Sequence, residues 1–239
     1  MKRFWFITLF LLLTLGASRR AHIVITPPAA AVVGGGDFSD DFDRVDNESL
    51  GVNWTQAAGD FDILTNSIIF GSGGVSAIAI YSAQSTGSAD QYMKFSLRMA
   101  TANSVYVIFR YTDASSPFYI LLFNESIDDV EWYKENSIAD LSDTLIVAAD
   151  AGPEYGAEST WSVTLAGTDN GTVFRGWLNT SNNVPDSAIS WDTITTPDFT
   201  LTTDPGANAV NSGNYLGLGG YNADSFAFGY DNFFGGPIP

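Results

Sequence analysis

The clearest pattern along the chain is an alternation of apolar and polar residues with a period of two. Over residues 92–99, the side chains at 93, 95, 97 and 99 are apolar, and the positions between them carry Tyr92, Lys94, Ser96 and Arg98. Residues 105–111 alternate in the same way, so Tyr106 and Arg110 lie opposite an apolar face. Because successive side chains of a strand point to opposite faces, both segments are predicted to be half-buried β-strands.

Further short segments have the composition of strands and are separated by turn residues. Residues 118–123 are almost uniformly apolar, as in a central strand, and are predicted to pair with 130–134 across a turn near 127–129. Other strands are predicted at 144–148, 161–165, 173–178, 198–201, 215–218 and 226–233. No segment beyond residue 36 has a sustained helical period. The chain is therefore predicted to be all-β, a two-sheet antiparallel sandwich with a core that includes Trp54 and Trp161.

The first 36 residues differ from the rest and are predicted to lie outside the folded domain. Residues 1–18 combine two basic residues, an apolar run over 4–15 and small residues at 16–18, which is typical of a signal peptide or an N-terminal anchor. The apolar run is too short to span a bilayer as a helix. Residues 19–36 begin with Arg19 and Arg20, continue rich in Pro, Ala and Gly, and are predicted to be a tether. Residues 37–239 form one domain.

The composition excludes several functions. All 27 acidic residues lie at Asp37 or later together with six of the ten basic ones, so this part of the chain carries a formal charge of −21. Such a surface repels phosphate backbones, and nucleic acid is not expected as a partner. The chain contains no cysteine, and its one histidine, His22, lies in the tether. Disulfides, cysteine nucleophiles and a Ser-His triad are therefore not expected in the domain.

The two ends of the domain resemble a known family. The domain opens with Asp40-Asp-Phe-Asp-Arg44 and Leu50-Gly-Val-Asn-Trp-Thr55, and it closes with Tyr215-Leu-Gly-Leu-Gly-Gly220 and Tyr230-Asp-Asn-Phe-Phe234. Between them, the strand order also resembles that of the concanavalin A-like lectin/glucanase superfamily, especially its bacterial and phage laminin-G-like jelly rolls. The resemblance extends from about residue 37 to 234 and implies a jelly-roll sandwich. It implies no particular activity, because function depends on the site that the fold carries.

Catalysis of the glucanase type is not favoured. Glucanases of this superfamily use a strand with the pattern Glu-x-Asp-x-(x)-Glu, and the similar stretch here is Glu125–Glu131, which has Ile127 where the middle acid should be. An unusual acid pair, with Glu131 and a second acid on the facing strand, remains an alternative and would make the protein a glycoside hydrolase or lyase.

A carbohydrate-binding patch is predicted on the polar face of the two alternating strands. Aromatic rings cover the C–H groups of a sugar, and planar charged groups bond its hydroxyls. The alternative is that the basic residues form cross-strand ion pairs with nearby acids. The candidate residues are Tyr92, Lys94, Arg98, Tyr106, Arg110 and Tyr133.

A structural Ca²⁺ is a candidate cofactor. Calcium takes six to eight oxygen ligands, and carboxylates are abundant in this chain. Asp40, Asp41 and Asp231 are the candidate ligands, because the first and last strands of a jelly roll lie side by side. The alternative is that Asp231 and Asn232 bond to backbone groups at a strand end.

Three functions follow from these observations. The first is a non-catalytic, extracellular carbohydrate-binding module whose partner is a glycan or polysaccharide. The second is a structural protein of a virion or cell surface, such as a decoration, fibre or tail-associated subunit, which contacts other surface proteins through its N-terminal segment. The third is the glycoside hydrolase or lyase.

Overall fold

The computed structural model describes residues 36–46, 49–64, 67–70, 76–98, 104–124, 129–139, 144–150, 158–178, 197–202, 208–221 and 229–238. The predictions for residues 1–18 and for all but the last residue of 19–36 therefore lie outside the described residues. Within the described part of the chain, no helix is long and apolar enough to cross a membrane.

The described residues form strands joined by loops and one short 3₁₀ turn at Asp169–Gly171. In chain order, the strands are β1 Phe38–Asp40, β2 Trp54–Ala58, β3 Phe61–Leu64, β4 Ser67–Phe70, β5 Ser76–Tyr81, β6 Gln91–Arg98, β7 Ser104–Tyr111, β8 Phe118–Asn124, β9 Asp129–Glu135, β10 Thr144–Asp150, β11 Glu158–Ala166, β12 Val173–Leu178, β13 Phe199–Leu201, β14 Tyr215–Tyr221 and β15 Gly229–Pro237.

The strands form two antiparallel sheets. The eight-stranded sheet has the order β13-β12-β11-β6-β15-β4-β3, with β1 also paired to β15, and the seven-stranded sheet has the order β10-β9-β8-β7-β14-β5-β2. This arrangement confirms the predicted two-sheet sandwich. Each predicted strand overlaps an observed one, and the predicted hairpin of β8 and β9 is present. The five strands before residue 82 were not predicted individually.

The core lies between the sheets and is built by alternate residues of each strand. Met93, Phe95 and Leu97 of β6 and the residues at 105, 107 and 109 of β7 are fully buried in one cluster, as the alternation predicted. Trp54 and Trp161 belong to the same cluster, which confirms their predicted place in the core.

An aromatic cluster joins the two ends of the domain. β1 pairs with β15, with Phe38 opposite Gly235, so the first and last strands lie side by side as predicted. The Phe38 ring stacks on Tyr81 of the other sheet at a centroid distance of 4.4 Å, and Phe233 lies 5.1 Å from Trp54. These contacts hold the edges of both sheets together, because each ring buries a large apolar area.

Candidate functional site

The six predicted sugar-binding residues lie on different sheets. Tyr92, Lys94 and Arg98 are on β6 of the eight-stranded sheet, and the other three are on β7 and β9 of the seven-stranded sheet. The outer faces of the two sheets of a sandwich look in opposite directions. The prediction of one shared patch is therefore wrong. The prediction failed because the chain changes sheet between β6 and β7. The alternation within each strand is the same whichever sheet the strand joins, so the sequence pattern did not reveal this change.

Arg110 does not face outward with Tyr106. The pairing of β7 with β14 shifts by one residue between Tyr215 and Gly217, and Arg110 has a positive φ of 55°. An extra residue in one strand forms a β-bulge, which re-aims the side chain beside it. The Arg110 side chain consequently turns toward the end of the core and lies over the Tyr119 ring, with 5.9 Å from its guanidinium carbon to the ring centroid.

The buried Arg110 guanidinium holds three loops together. Its Nε donates to the Ala89 carbonyl at 2.9 Å, its Nη1 donates to Val210 at 2.6 Å, and its Nη2 donates to Gly167. Asp90 lies 3.5 Å from Nη2, and the side chain of Arg110 is fully buried. Desolvation by burial lowers the pKa of Arg110, and the fields of Tyr119 and Asp90 oppose that shift. Arg110 thus has a structural role in the fold.

Asp40 is likewise committed to contacts within the protein. Its Oδ2 accepts from the Trp54 indole at 2.8 Å, and both of its oxygens lie within 2.7 Å of Nη2 of Arg44. The Phe42 amide also donates to Oδ1, at 2.9 Å. A carboxylate with these donors has little capacity left for a cation. Whether Asp40 also binds calcium stays a prediction.

The other two candidate calcium ligands do not join Asp40 in a metal site. Asp41 is exposed and accepts from the Asp43 amide at 3.1 Å, and Asp231 pairs in register with Ser96 of β6. Among the residues that the structure describes, no group of three or more acidic or histidine side chains could hold a metal ion. Whether the protein binds calcium stays a prediction.

A second apolar cluster covers the outer face of the seven-stranded sheet. It consists of Ile78, Ile80, Tyr106, Ile108, Phe118 and Ile120. The Tyr106 ring lies across Gly219, where any side chain would overlap it, and its hydroxyl donates to the Ala77 carbonyl at 3.1 Å. Glycine in this strand therefore lets a tyrosine lie flat on the sheet.

Polar and half-buried side chains of this outer face meet on β8 and β9, where the Glu131 side chain is itself buried. Glu131 and Tyr133 are two residues apart on β9 and share the outer face, because Trp132 between them is in the core. Leu122 is opposite Glu131, and Asn124 donates to the Glu131 carboxylate at 3.4 Å. We refer to Leu122, Asn124, Glu131 and Tyr133 as the Tyr133 patch. Its residues on one strand are about 7 Å apart, the size of one sugar ring.

The carboxylates of β9 do not reproduce the glucanase arrangement. Glu131 and Glu135 share a face but are about 13 Å apart along the strand, whereas paired glycosidase carboxyls lie about 5 to 9.5 Å apart. The residues opposite Glu131 on the neighbouring strands are Leu122 and Ala148, so neither supplies a facing acid. Asp129, two residues from Glu131 on the same strand, is about 7 Å from it and so lies within that range, and the unusual acid pair stays a prediction.

The predicted residues of β6 lie on the opposite side of the molecule. Tyr92 is buried against Trp177 and Ile238. Lys94 is half-buried, with its Nζ 5.9 Å from the centroid of the Phe234 ring. Arg98 ends β6 opposite Glu158, and its side chain lies outside the described residues. Sequence reasoning missed Phe234, which the period-two pattern could not assign because β15 contains a bulge.

Comparison with known proteins gives structural neighbours only. No family model and no curated protein sequence matches the chain. Among solved structures, the Crh5 transglycosylase in complex with NAG is 10% identical, with 85% of this chain and 84% of that one covered and a TM-score of 0.50. The carbohydrate-binding module CBM66 from Bacillus subtilis is 13% identical over 78% of this chain and 93% of its own, with a TM-score of 0.47. The lectin UEA-II complexed with galactose is 12% identical over 84% and 97%, with a TM-score of 0.45.

The sheet topology and the likeness to the transglycosylase, at a TM-score of 0.50, define the fold. The chain is a jelly-roll β-sandwich with the concanavalin A-like fold, as the resemblance implied. At these identities, the likeness concerns the fold alone.

Proposed function

We propose that residues 37–239 form a non-catalytic carbohydrate-binding domain and that the Tyr133 patch is its sugar-binding site. One observation carries the proposal: the patch combines a half-exposed tyrosine ring, an apolar neighbour and a carboxylate–amide pair within the span of one sugar ring. The ring and Leu122 cover C–H groups, and the Glu131 and Asn124 side chains accept from and donate to hydroxyls.

The surroundings of the patch support a ligand larger than one sugar. Leu145 of β10 pairs with Tyr133 and is 50% exposed, so the apolar surface continues to the sheet edge. On the other side, Tyr133 packs against the second apolar cluster, whose Tyr106 and isoleucines are buried. An exposed apolar side chain beside an aromatic ring and polar groups is typical of a binding site. The fold agrees with this proposal, since a transglycosylase with the same sandwich was solved with NAG.

The test is glycan binding by the full chain and by matched variants. Screening of neutral oligosaccharides on an array is followed by titration calorimetry with the best ligand. Tyr133→Ala and Glu131→Gln are each expected to weaken binding about tenfold or more, since one charge-assisted hydrogen bond or one aromatic contact contributes about 1.4 kcal/mol. Val52→Ala, at an exposed apolar residue in the loop before β2, is the control and should bind as the unaltered chain does.

Two outcomes would contradict the proposal. One is a full glycan array without a ligand, and the other is unchanged affinity in Tyr133→Ala. Release of reducing sugar that disappears in Glu131→Gln would instead contradict its non-catalytic part and favour the glycosidase alternative.

We also propose that the domain functions outside the cell. The support is the sequence of residues 1–18, with basic residues, an apolar run and small residues in that order. Mass spectrometry of the mature protein tests it: loss of residues 1–18 agrees with export and cleavage. Retention of Met1 favours an N-terminal anchor, as the virion or cell-surface alternative requires.

A further inference from the structure

The outer face of the eight-stranded sheet carries a concentration of basic residues. Lys94 of β6 and Arg175 of β12 lie on this face, because Phe95 and Phe174 beside them point into the core. Two of the six basic residues from Asp37 onward thus lie on one face of a domain whose formal charge is −21. This face is opposite the Tyr133 patch.

The strand register determines what lies between Lys94 and Arg175. Ser162 of β11 is opposite Lys94 on one side and Trp177 on the other. Thr164, two residues further along β11, is opposite Tyr92 and Arg175. Strands are about 4.8 Å apart and alternate residues about 6.7 Å apart, so the two basic residues are about 12 Å apart at Cα. Both side chains are long enough to reach a ligand over Ser162.

Neither basic side chain is paired with an acid. In the described part of the chain, Lys94 forms no ion pair and contacts the Phe234 ring, and Arg175 has neither an ion pair nor a side-chain hydrogen bond. In contrast, Arg44 and Arg110 each contact an aspartate. Among the described residues, Lys94 and Arg175 therefore form none of the cross-strand ion pairs that the sequence left open as an alternative.

An unsatisfied hydroxyl lies between these two cations. Ser162 is fully buried, and its Oγ has no hydrogen-bond partner in the structure. Because Trp161 and Val163 point into the core, the Ser162 side chain points to the outer face, beneath Lys94 and Trp177. A buried hydroxyl without a partner costs about 1 to 3 kcal/mol.

We propose that this face is a second binding site, for an acidic glycan whose uronate carboxylates bind Lys94 and Arg175. The Arg175 fork bonds both oxygens of a carboxylate, and the Lys94 ammonium bonds a second carboxylate along the chain. Ser162 bonds a ring or hydroxyl oxygen, and the exposed Phe234 ring, at 44% exposure, stacks against a sugar. Asp37 and Asp231 border the site on the β15 side, so the acidic chain lies between β6 and β12.

The test compares one oligosaccharide in two charge states. Calorimetry measures the affinity of the full chain for oligogalacturonate and for the methyl-esterified form of the same oligosaccharide. Both titrations are made at 0.15 M salt, because repulsion between charges more than about 8 Å apart is then largely screened. The free acid is expected to bind at least tenfold tighter than the ester. Lys94→Gln and Arg175→Gln are each expected to weaken binding of the acid about tenfold, with little effect on the ester.

Two control variants separate this site from the Tyr133 patch. Lys134→Gln removes a positive charge from β9 of the other sheet and should leave oligogalacturonate affinity unchanged. Tyr133→Ala should also leave it unchanged, so failure of the Tyr133 patch does not affect this result. Equal affinity for acid and ester, unchanged affinity in both glutamine variants, or a loss in Tyr133→Ala equal to theirs would overturn the proposal.

Discussion

Arg110 shows how one residue can organise a whole end of the sandwich. Its guanidinium bonds carbonyls of three loops, and its own backbone amide donates to Gln91 Oε1 at 2.8 Å. Gly213 passes against the Arg110 carbonyl at a φ of 124°, where a side chain would overlap that carbonyl. One buried cation therefore joins three loops at this end of the sandwich.

We expect loss of the Arg110 guanidinium to destabilise the domain strongly. Arg110→Met should lower the free energy of unfolding by about 3 to 5 kcal/mol, because it leaves several buried carbonyls without donors. Arg110→Lys should recover only part of this, since an ammonium cannot reproduce the planar fork. Urea denaturation measures both. Arg175→Met, at a half-buried arginine without an ion pair, is the control and should change little; an equal loss there would contradict the interpretation.

At the scale of elements, the bulge in β15 determines which face of the sheet each residue of the Phe233-Phe234 pair occupies. The four residues of β15 from Asp231 to Phe234 are opposite the three residues of β6 from Lys94 to Ser96, and Asn232 has a φ of 51°. Asparagine adopts this left-handed conformation more readily than most residues. As a result, Phe233 is fully buried in the aromatic cluster and Phe234 faces solvent beside Lys94.

Substitutions at Asn232 test the role of the bulge. Asn232→Gly keeps the left-handed conformation accessible and should leave the free energy of unfolding within about 0.5 kcal/mol. Asn232→Val should lower it by about 1 to 3 kcal/mol, because a β-branched residue is strained at a positive φ. Thermal unfolding of the two variants under identical conditions is the measurement. A valine variant as stable as the glycine variant would show that the bulge is not needed.

At the scale of the whole molecule, a buried tyrosine links the two sheets. Tyr230 of β15 is fully buried, and its hydroxyl lies 2.6 Å from the Tyr106 carbonyl and 2.8 Å from the Gly219 carbonyl of the other sheet. Burial raises the pKa of Tyr230 well above its usual value. Burial also raises the pKa of Tyr111 to about 12, with a contribution from Asp113. The folded state therefore holds these phenolic protons more tightly than the unfolded chain does.

We expect the domain to lose stability at alkaline pH. A tyrosine with a raised folded pKa contributes stability that is present below the unfolded value of about 10 and is lost as pH rises through the folded value. Unfolding free energies measured between pH 8 and 12 should fall above pH 10. Tyr230→Phe should be less stable by about 1 to 3 kcal/mol at pH 8 and should show a shallower alkaline decline. A decline as steep as that of the unaltered chain would contradict this assignment.

The separation of the predicted sugar-binding residues is also a property of the whole molecule. Alternation predicted that Lys94 and Phe95 point to opposite faces of their sheet, and it predicted the same for Tyr106 and Val107. Both predictions are confirmed. The same pattern holds for a strand in either sheet, so it contains no information on which sheet a strand joins. Arg110 was assigned to the wrong face because a bulge depends on the pairing of β7 with β14.

The sequence by itself determined the strands, their inward and outward faces and the sandwich class, because side-chain alternation is a local property of an extended chain. Tertiary structure alone decided which strands became neighbours, where the bulges lie and which polar side chains the scaffold uses. Those outcomes depend on contacts between residues far apart in the chain, such as Arg110 with Val210 and Tyr230 with Tyr106. The Tyr133 patch and the placement of Lys94 and Arg175 on one face both depend on such contacts.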